Sequence, residues 1–389
     1  MDFSNEYIIL LSCARSHLSE STIQALKGVL AKGDVDWNNL LAKAERHRVK
    51  PLVYHTLSKL TLSHLMPSEI MSDLEKSYHI LAFRNTFLLK EFGEILRSLS
   101  EIGISIIVLK GAALAETVYP SIALRPFGDI DFLIKAEDLF KVEKVLINLG
   151  FIKDEKTPDF VDAQEVMDYT YCFTQIVFKK QNPLPMYLEI HCNPIHLGIS
   201  QDRLSQLWER AMEIKIRGVS TFSLHPEDML LHLCHHLYRH NYSYLMWFSD
   251  LSFLLDYYEG DINWSSLIEQ AKGHESGITL YYGLFFAKGL LDCKIPPWVL
   301  TELKPGWLKR KMFERIYPPE EAFHLKSTDH GRLAMRMTFF TVDGFFNKLK
   351  FFFSINLPRS KWIKPRYDQS KNIFSCYLNY FMDVLKERL

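Results

Sequence analysis

Apolar residues recur at three- and four-residue spacing through roughly the first hundred positions, the period of helices with one buried face. The pattern predicts helices over Glu6–Ala14, Ser21–Ala31, Trp37–His47, Pro51–Ser58 and Pro67–Leu99, with Ser21 and Asp36 as caps and Gly33, Pro51 and Pro67 as breaks. The last helix carries one long apolar stripe, Leu74, Tyr78, Leu81, Leu88, Phe92, Ile95 and Leu99, interrupted only at Asn85. A stripe of that length needs a partner surface. Residues 1–100 are therefore expected to form an N-terminal helical cap lying on a sheet that follows.

At Ile104 the period changes. Ile104 to Leu109 is an apolar run with Ser105 inside it, expected as a buried strand that breaks at Lys110-Gly111 into a helix of small residues. The loop Arg125-Pro126-Phe127-Gly128 leads into a second strand, Asp129 to Ile134. Ala136 to Leu149 is an amphipathic helix stopped by Gly150, and Phe151 to Lys153 a short return strand. Tyr169–Lys179 and Pro185–Cys192 form a hairpin candidate around Lys180-Gln181-Asn182-Pro183. This order predicts a small mixed sheet over residues 101–195, backed by helices. From Ser200 to Leu255 the spacing is helical again, with Pro226-Glu227-Asp228 a strong helix start. Helices are expected on to about residue 340, and the tail from Pro358 is basic at first and ends in an amphipathic helix. Residues 196–389 are thus expected as a C-terminal helical region, and the fold class as α+β.

Composition narrows the function classes. The 389 residues are 48% hydrophobic, enough for a large core, and Lys plus Arg equals Asp plus Glu at 46 each, so no global basic field draws the chain to nucleic acid. A local basic groove remains compatible with that balance. The six cysteines, Cys13, Cys172, Cys192, Cys234, Cys293 and Cys376, form no CxxC pair, which points to free thiols in a reducing compartment; the cytoplasm is expected. Residues 1–16 lack a basic segment ahead of their apolar run and make a poor secretory signal. No run approaches the length of a membrane-spanning helix. The Phe-rich segment Gly344 to Ile355 fits a helix packed on the body of the protein, or a basic-aromatic patch on a bilayer surface.

The candidate chemistry sits on the strands. Alternation puts Asp129 and Asp131 on one strand face, about 7 Å apart along the backbone, with Ile130 on the other. Asp-x-Asp alone also marks strand edges and turns. Two converging carboxylates call for a cation between them, either a metal ion or the side chain of Lys110 or Arg125. Glu189 and His191 likewise share a face of their strand. Along Pro226–His240, His232, His236 and His240 recur every fourth residue, but no HExxH or cysteine pair accompanies them, so a zinc site is not indicated. Asp250, in an apolar helix, needs a partner, for which Arg239 or a histidine is expected; Trp247 nearby suits either the core or a stacked base.

At these residues the chain resembles the nucleotidyltransferase superfamily typified by DNA polymerase beta. It is more similar still to a bacterial family of uncharacterised nucleotidyltransferases with LKG-x-x-L and R-P-x-x-D-I-D motifs, here Leu109–Leu114 and Arg125–Asp131. The run Leu231–His240 and the pattern from Leu245 to Leu251 match that family too. The resemblance implies transfer of a nucleoside monophosphate from an NTP, ATP by default, to a hydroxyl or phosphate acceptor, with Mg²⁺ or Mn²⁺ as cofactor. It assigns catalysis and metal binding to Asp129, Asp131 and Glu189, and phosphate binding to Lys110, Gly111 and Arg125. His191, His236, Arg239 and His240 would face the nucleotide or the acceptor; the histidines serve equally as hydrogen-bonded links between helix and sheet. The wider superfamily has Gly-Ser after the first strand, whereas Ala112 follows Gly111 here, which leaves that phosphate contact to Lys110 or Arg125. The acceptor, whether small molecule, protein or RNA, is not specified. A non-catalytic nucleotide- or partner-binding module on the same fold is the alternative, and an enzyme acting on tRNA ends a third reading. There is no P-loop, GxGxxG or GxSxG motif, which removes the commonest rival enzymes.

Overall fold

The chain opens with α1 (Asn5–Cys13), α2 (Glu20–Lys32), α3 (Trp37–Arg46), α4 (Lys50–Lys59) and the long α5 (Ser68–Glu101). The computed structural model describes residues 3–173, 175–194, 201–273, 276–316 and 372–386, together with Pro318, Trp362, Ile363 and Tyr367. Asp36 caps α3, its carboxylate accepting from the Asn39 amide at 3.0 Å. Ser19 rather than Ser21 caps α2, accepting from the Thr22 amide, and Gly33 closes that helix at φ 72°. The α5 stripe is buried at Leu74, Leu81, Leu88, Phe92, Ile95 and Leu99. Asn85, the polar break in it, is fully buried as well; its Nδ2 donates to the carbonyls of Ile122 (2.7 Å) and Arg125 (3.0 Å).

Seven strands among the described residues form one mixed sheet: β1 (Ile107–Val108), β2 (Asp129–Leu133), β3 (Ile152–Lys153), β4 (Ile176–Lys180), β5 (Met186–His191), β6 (Met212–Ile216) and β7 (Val219–Ser223). Their order is β3-β4-β5-β2-β1-β7-β6. At its centre β2 runs parallel to β5 and antiparallel to β1. Ile130 and Phe132 on β2, with Leu188 and Ile190 on β5, are buried; Phe132 meets Phe92 of α5 at 5.9 Å between ring centroids, so α5 covers that face. The fold is α+β, as expected. Two local expectations are corrected. Tyr169–Phe173 is not strand but the end of a helix over Ala163–Phe173, in which Thr170 Oγ1 donates back to the Val166 carbonyl at 3.0 Å. The stretch from Ser200 is not wholly helical either. Met212–Ser223 alternates as a hairpin whose turn, Arg217-Gly218, takes positive φ at both residues (49° and 80°), the twist that two-residue hairpins favour.

Between the strands lie α6 (Lys110–Thr117), α7 (Leu139–Asn148), α8 (Ala163–Phe173) and α9 (Gln201–Arg210). After the sheet come α10 (Pro226–Arg239), α11 (Leu245–Tyr257), α12 (Trp264–Gly273), α13 (Gly277–Leu291), α14 (Pro297–Leu303) and α15 (Trp307–Ile316). α10 and α13 cross closely because Gly283 lacks a side chain: a Cβ there would stand 2.6 Å from Cys234 Sγ. Tyr282 stacks on Phe313 at 3.7 Å and Tyr242 meets Phe286 edge-on at 5.0 Å, extending one continuous core. The amphipathic C-terminal helix is α16 (Ile373–Lys386), and Trp362 ahead of it packs edge-on against Tyr169 of α8 at 5.7 Å. The Phe-rich segment 344–355 and the basic residues Lys361, Lys364 and Arg366 lie outside the described residues. No described helix is long and apolar enough to cross a membrane. Cys13, Cys192, Cys234 and Cys293 are free and buried, and Cys376 is buried as well.

Asn85→Leu would strip two carbonyls, that of Arg125 buried and that of Ile122 partly so, of their donor at once. It is expected to cost about 1–3 kcal/mol in urea-induced unfolding; an unchanged or raised midpoint would show that the apolar stripe needs no polar member.

Candidate active site

Parallel pairing of β2 with β5 sets Asp131 beside Glu189 and Leu133 beside His191. The polar members of both strands share the sheet face opposite α5. One ligand atom each from Asp131, Glu189 and His191 lies within 4.8 Å of the other two. His191 Nε2 donates to Asp131 Oδ1 at 3.1 Å, and Gln175 Nε2 donates to Glu189 Oε1 at 3.0 Å. Lys110, one of the cations expected near the aspartates, has its Nζ 2.9 Å from Asp131 Oδ1. Lys110 begins α6 at φ 30°, a left-handed backbone that side chains rarely adopt. Its position is fixed from the sheet side by the Leu109 amide, which donates to the Asp131 carbonyl at 2.9 Å.

The electrostatics separate the two acids. Burial alone would raise the Asp131 carboxyl, but the Lys110 ammonium and the His191 hydrogen bond overcome it and hold Asp131 well below the usual carboxylate range. Glu189 is pushed the other way, first by burial and then by the Asp131 charge. Burial opposes the charge on Lys110, yet Asp131, Glu189 and Asp129 together keep it ammonium. On α10, burial lowers His232 to about 3 and His236 well below its ordinary value, with Lys110 adding to both, so these rings are neutral.

The cluster lies in a cleft of about 390 Å³. Asp129, half-buried, lines this cleft but falls outside the group of three. Burial lowers the Arg84 guanidinium, which donates to the Phe127 carbonyl, while Asp129 favours its charge. His236, Arg239 and His240 all line the cleft. Burial lowers the Arg239 guanidinium, while Glu189 and Asp131 favour its charge; it forms no ion pair or hydrogen bond among the described residues. Trp247 is buried yet reaches the same cleft, with ring centroids 4.7 Å from His236, 4.9 Å from His240 and 4.8 Å from Tyr244. Arg48, from the N-terminal helices, sits over Tyr244 at 5.0 Å and closes the ring of residues.

Arg125 and Gly111, both expected at the phosphates, line the cleft and are also packed within the protein. Arg125 is buried, and its Nε and Nη2 donate to the two Asp250 oxygens at 2.7 Å each, while Nη1 donates to the Pro126 carbonyl. Tyr119 Oη adds a bond to Asp250 Oδ1 at 2.8 Å. The partner of Asp250 is therefore Arg125, not Arg239 or a histidine, because the Arg-Pro loop folds against α11. The space opened by Gly111 is taken by Phe127: a Cβ there would stand 3.0 Å from that of Phe127. Sequence reasoning did not single out Arg48, Arg84 or Gln175. For Arg84 a signal existed in its neighbour Asn85, the one polar residue in the stripe; Arg48 and Gln175 carried none.

The model of one protein family, described as uncharacterised nucleotidyltransferase, matches residues 33–292. The chain belongs to this family. A search of curated proteins finds no match. The matched span runs from α3 to α13 and so contains every strand and every cleft residue named above. In this nucleotidyltransferase family member the donor set is two carboxylates and one imidazole, a set that fits a divalent cation. The fit is also electrostatic, since burial and the Asp131 charge both raise the proton affinity of Glu189, a penalty that a cation beside the two acids would relieve.

Two outcomes follow from this geometry. Asp250→Ala leaves the buried Arg125 unpaired and is expected to cost about 3–5 kcal/mol of stability by chemical denaturation, with Tyr119→Phe costing about 1 kcal/mol. A loss under 1 kcal/mol for Asp250→Ala would show the pair to be dispensable. Calorimetry with Mn²⁺ should give saturable binding weakened at least about tenfold in Asp131→Asn and Glu189→Gln. A cation must displace the Glu189 proton, so binding should release protons and strengthen as pH rises from 6 to 8. Binding indifferent to both substitutions would place the cation elsewhere.

Proposed function

We propose that the protein is a metal-dependent nucleotidyltransferase that moves a nucleoside monophosphate from a nucleoside triphosphate to a hydroxyl or phosphate acceptor, releasing pyrophosphate. The observation that carries this reading is the Asp131, Glu189 and His191 group, with Lys110 against it, in a cleft that also holds Arg239, which makes no ion pair among the described residues. A divalent cation held by Asp131, Glu189 and His191, with Asp129 at the margin, would offset the charge of the transferring phosphoryl group. Lys110 and Arg239 meet the phosphates, and Arg48 stands at the side of the cleft where Tyr244 and Trp247 offer rings to a base. An acceptor oxygen bonds to the α-phosphorus as the bond to pyrophosphate breaks. Its proton passes to Glu189 as general base. The sequence motifs and the family match both support this chemistry.

One observation favours a second reading, a non-catalytic nucleotide- or partner-binding module. Arg125 is committed to Asp250 and Lys110 to Asp131, so two of the expected phosphate contacts are engaged within the protein. A screen of four labelled NTPs with Mg²⁺ or Mn²⁺ against a cell extract separates the readings. Labelled product and pyrophosphate are expected with at least one NTP, falling by about 10²-fold or more in Asp131→Asn and Glu189→Gln. Nucleotide uptake in calorimetry without any consumption would instead establish the binding module.

A further inference from the structure

A second cavity of about 570 Å³ adjoins the cleft, and the two share Pro194 and His232 as a common wall. Its inner surface comes from α9, α10 and α12. Four polar atoms there are buried and make no hydrogen bond among the described residues: His232 Nε2, Asp228 Oδ2, Arg203 Nη1 and Arg210 Nε. His232 and Asp228 are themselves more than nine-tenths buried, at 8% and 9% exposure. Their other atoms are engaged. His232 Nδ1 donates to the Pro194 carbonyl at 2.8 Å, which leaves Nε2 of this neutral ring as an acceptor, and Asp228 Oδ1 accepts from Arg210. Two orphan acceptors and two orphan donors thus line one chamber, and each buried polar atom left unpaired costs free energy. Ser266 and Gln270 also line it, bonded to each other at 3.1 Å, with Gln270 Oε1 accepting from Arg210 Nη2 at 2.9 Å.

Resting on the nucleotidyl-transfer reading, we propose that this chamber holds the acceptor, a small polyhydroxylated molecule of sugar or polyol type, with one hydroxyl directed past His232 toward the metal cluster. A hydroxyl both donates and accepts, so adjacent hydroxyls satisfy alternating Arg donors and Asp or His acceptors as no purely anionic or apolar ligand does. Three exposed acids at the margin, Asp202, Glu209 and Glu269, select against phosphorylated sugars and favour neutral or amino-bearing ones. Nearness to the reaction centre is shared through His232, whose ring is under the influence of Lys110, His191 and Asp131.

The test is calorimetry of the full chain against monosaccharides, sugar alcohols, amino sugars and sugar phosphates, with Mn²⁺ and ATP titrated separately. At least one unphosphorylated polyol should bind, its phosphate ester at least tenfold more weakly. Asp228→Asn and Ser266→Trp should each weaken that polyol at least tenfold and leave Mn²⁺ and ATP binding unchanged; Ser266→Trp keeps the Asp228–Arg210 pair and so controls for misfolding. No polyol binding beside intact ATP binding overturns the proposal and spares the nucleotidyl-transfer reading, as does polyol binding that both variants retain. Polyol binding sensitive to both variants, without any ATP or Mn²⁺ binding, keeps the chamber as a polyol site and overturns its role as an acceptor site.

Discussion

Two acids held side by side in the middle of a sheet are the constraint around which the site is built. The parallel register of β2 and β5 leaves Asp131 and Glu189 no way to separate, and both are largely removed from water. Like charges so placed are tolerated only if one takes up a proton or a cation stands between them. Lys110 supplies part of that cation, at the expense of a left-handed backbone at the head of α6. A long flexible ammonium is also the group most easily moved.

Arg125 plays the opposite part. Its guanidinium is fixed in a bidentate pair with Asp250, held by Tyr119, and its carbonyl is held by Asn85. Four elements are joined through one short loop: α5, the turn before β2, the segment after α6, and α11. Breaking the pair leaves an uncompensated buried charge, which is far costlier than losing an exposed ion pair. The Arg-Pro motif is thus best understood as the brace that sets where β2 begins, and hence where Asp129 and Asp131 point.

Much of this was legible in the chain. The helical cap, the strand positions of Asp129, Asp131, Glu189 and His191, and the α+β class all follow from periods of 3.6 and 2, which local spacing records faithfully. What spacing cannot record is which residues pair across the fold. Nothing local distinguishes an arginine that will face phosphate from one that will meet Asp250 some 125 positions away. The β6–β7 hairpin was hidden for a different reason: Met212–Ile216 alternates apolar and charged residues between two helices, and its turn carries Gly218 but no Asn-Gly signal. Tyr169–Phe173 misled because aromatic and β-branched residues favour strands intrinsically, while burial of Tyr169 against Phe160 and Trp362 settles it as helix.

The cleft also explains why so much helix surrounds so small a sheet. Its walls come from α10, from α11 and from the α3–α4 junction, which meets α11 where the Met246 amide donates to the His47 carbonyl at 3.3 Å and Arg48 lies over Tyr244. A sheet alone would leave Asp131 and Glu189 in water, where carboxylates neither shift their proton affinities nor hold a cation tightly. By excluding water, the helices turn two ordinary acids into one site of unequal acids. Among them α10 presents His232 to the cleft on one side and to the neighbouring chamber on the other, so one helix shapes the electrostatics of the cleft and forms the boundary between the two cavities.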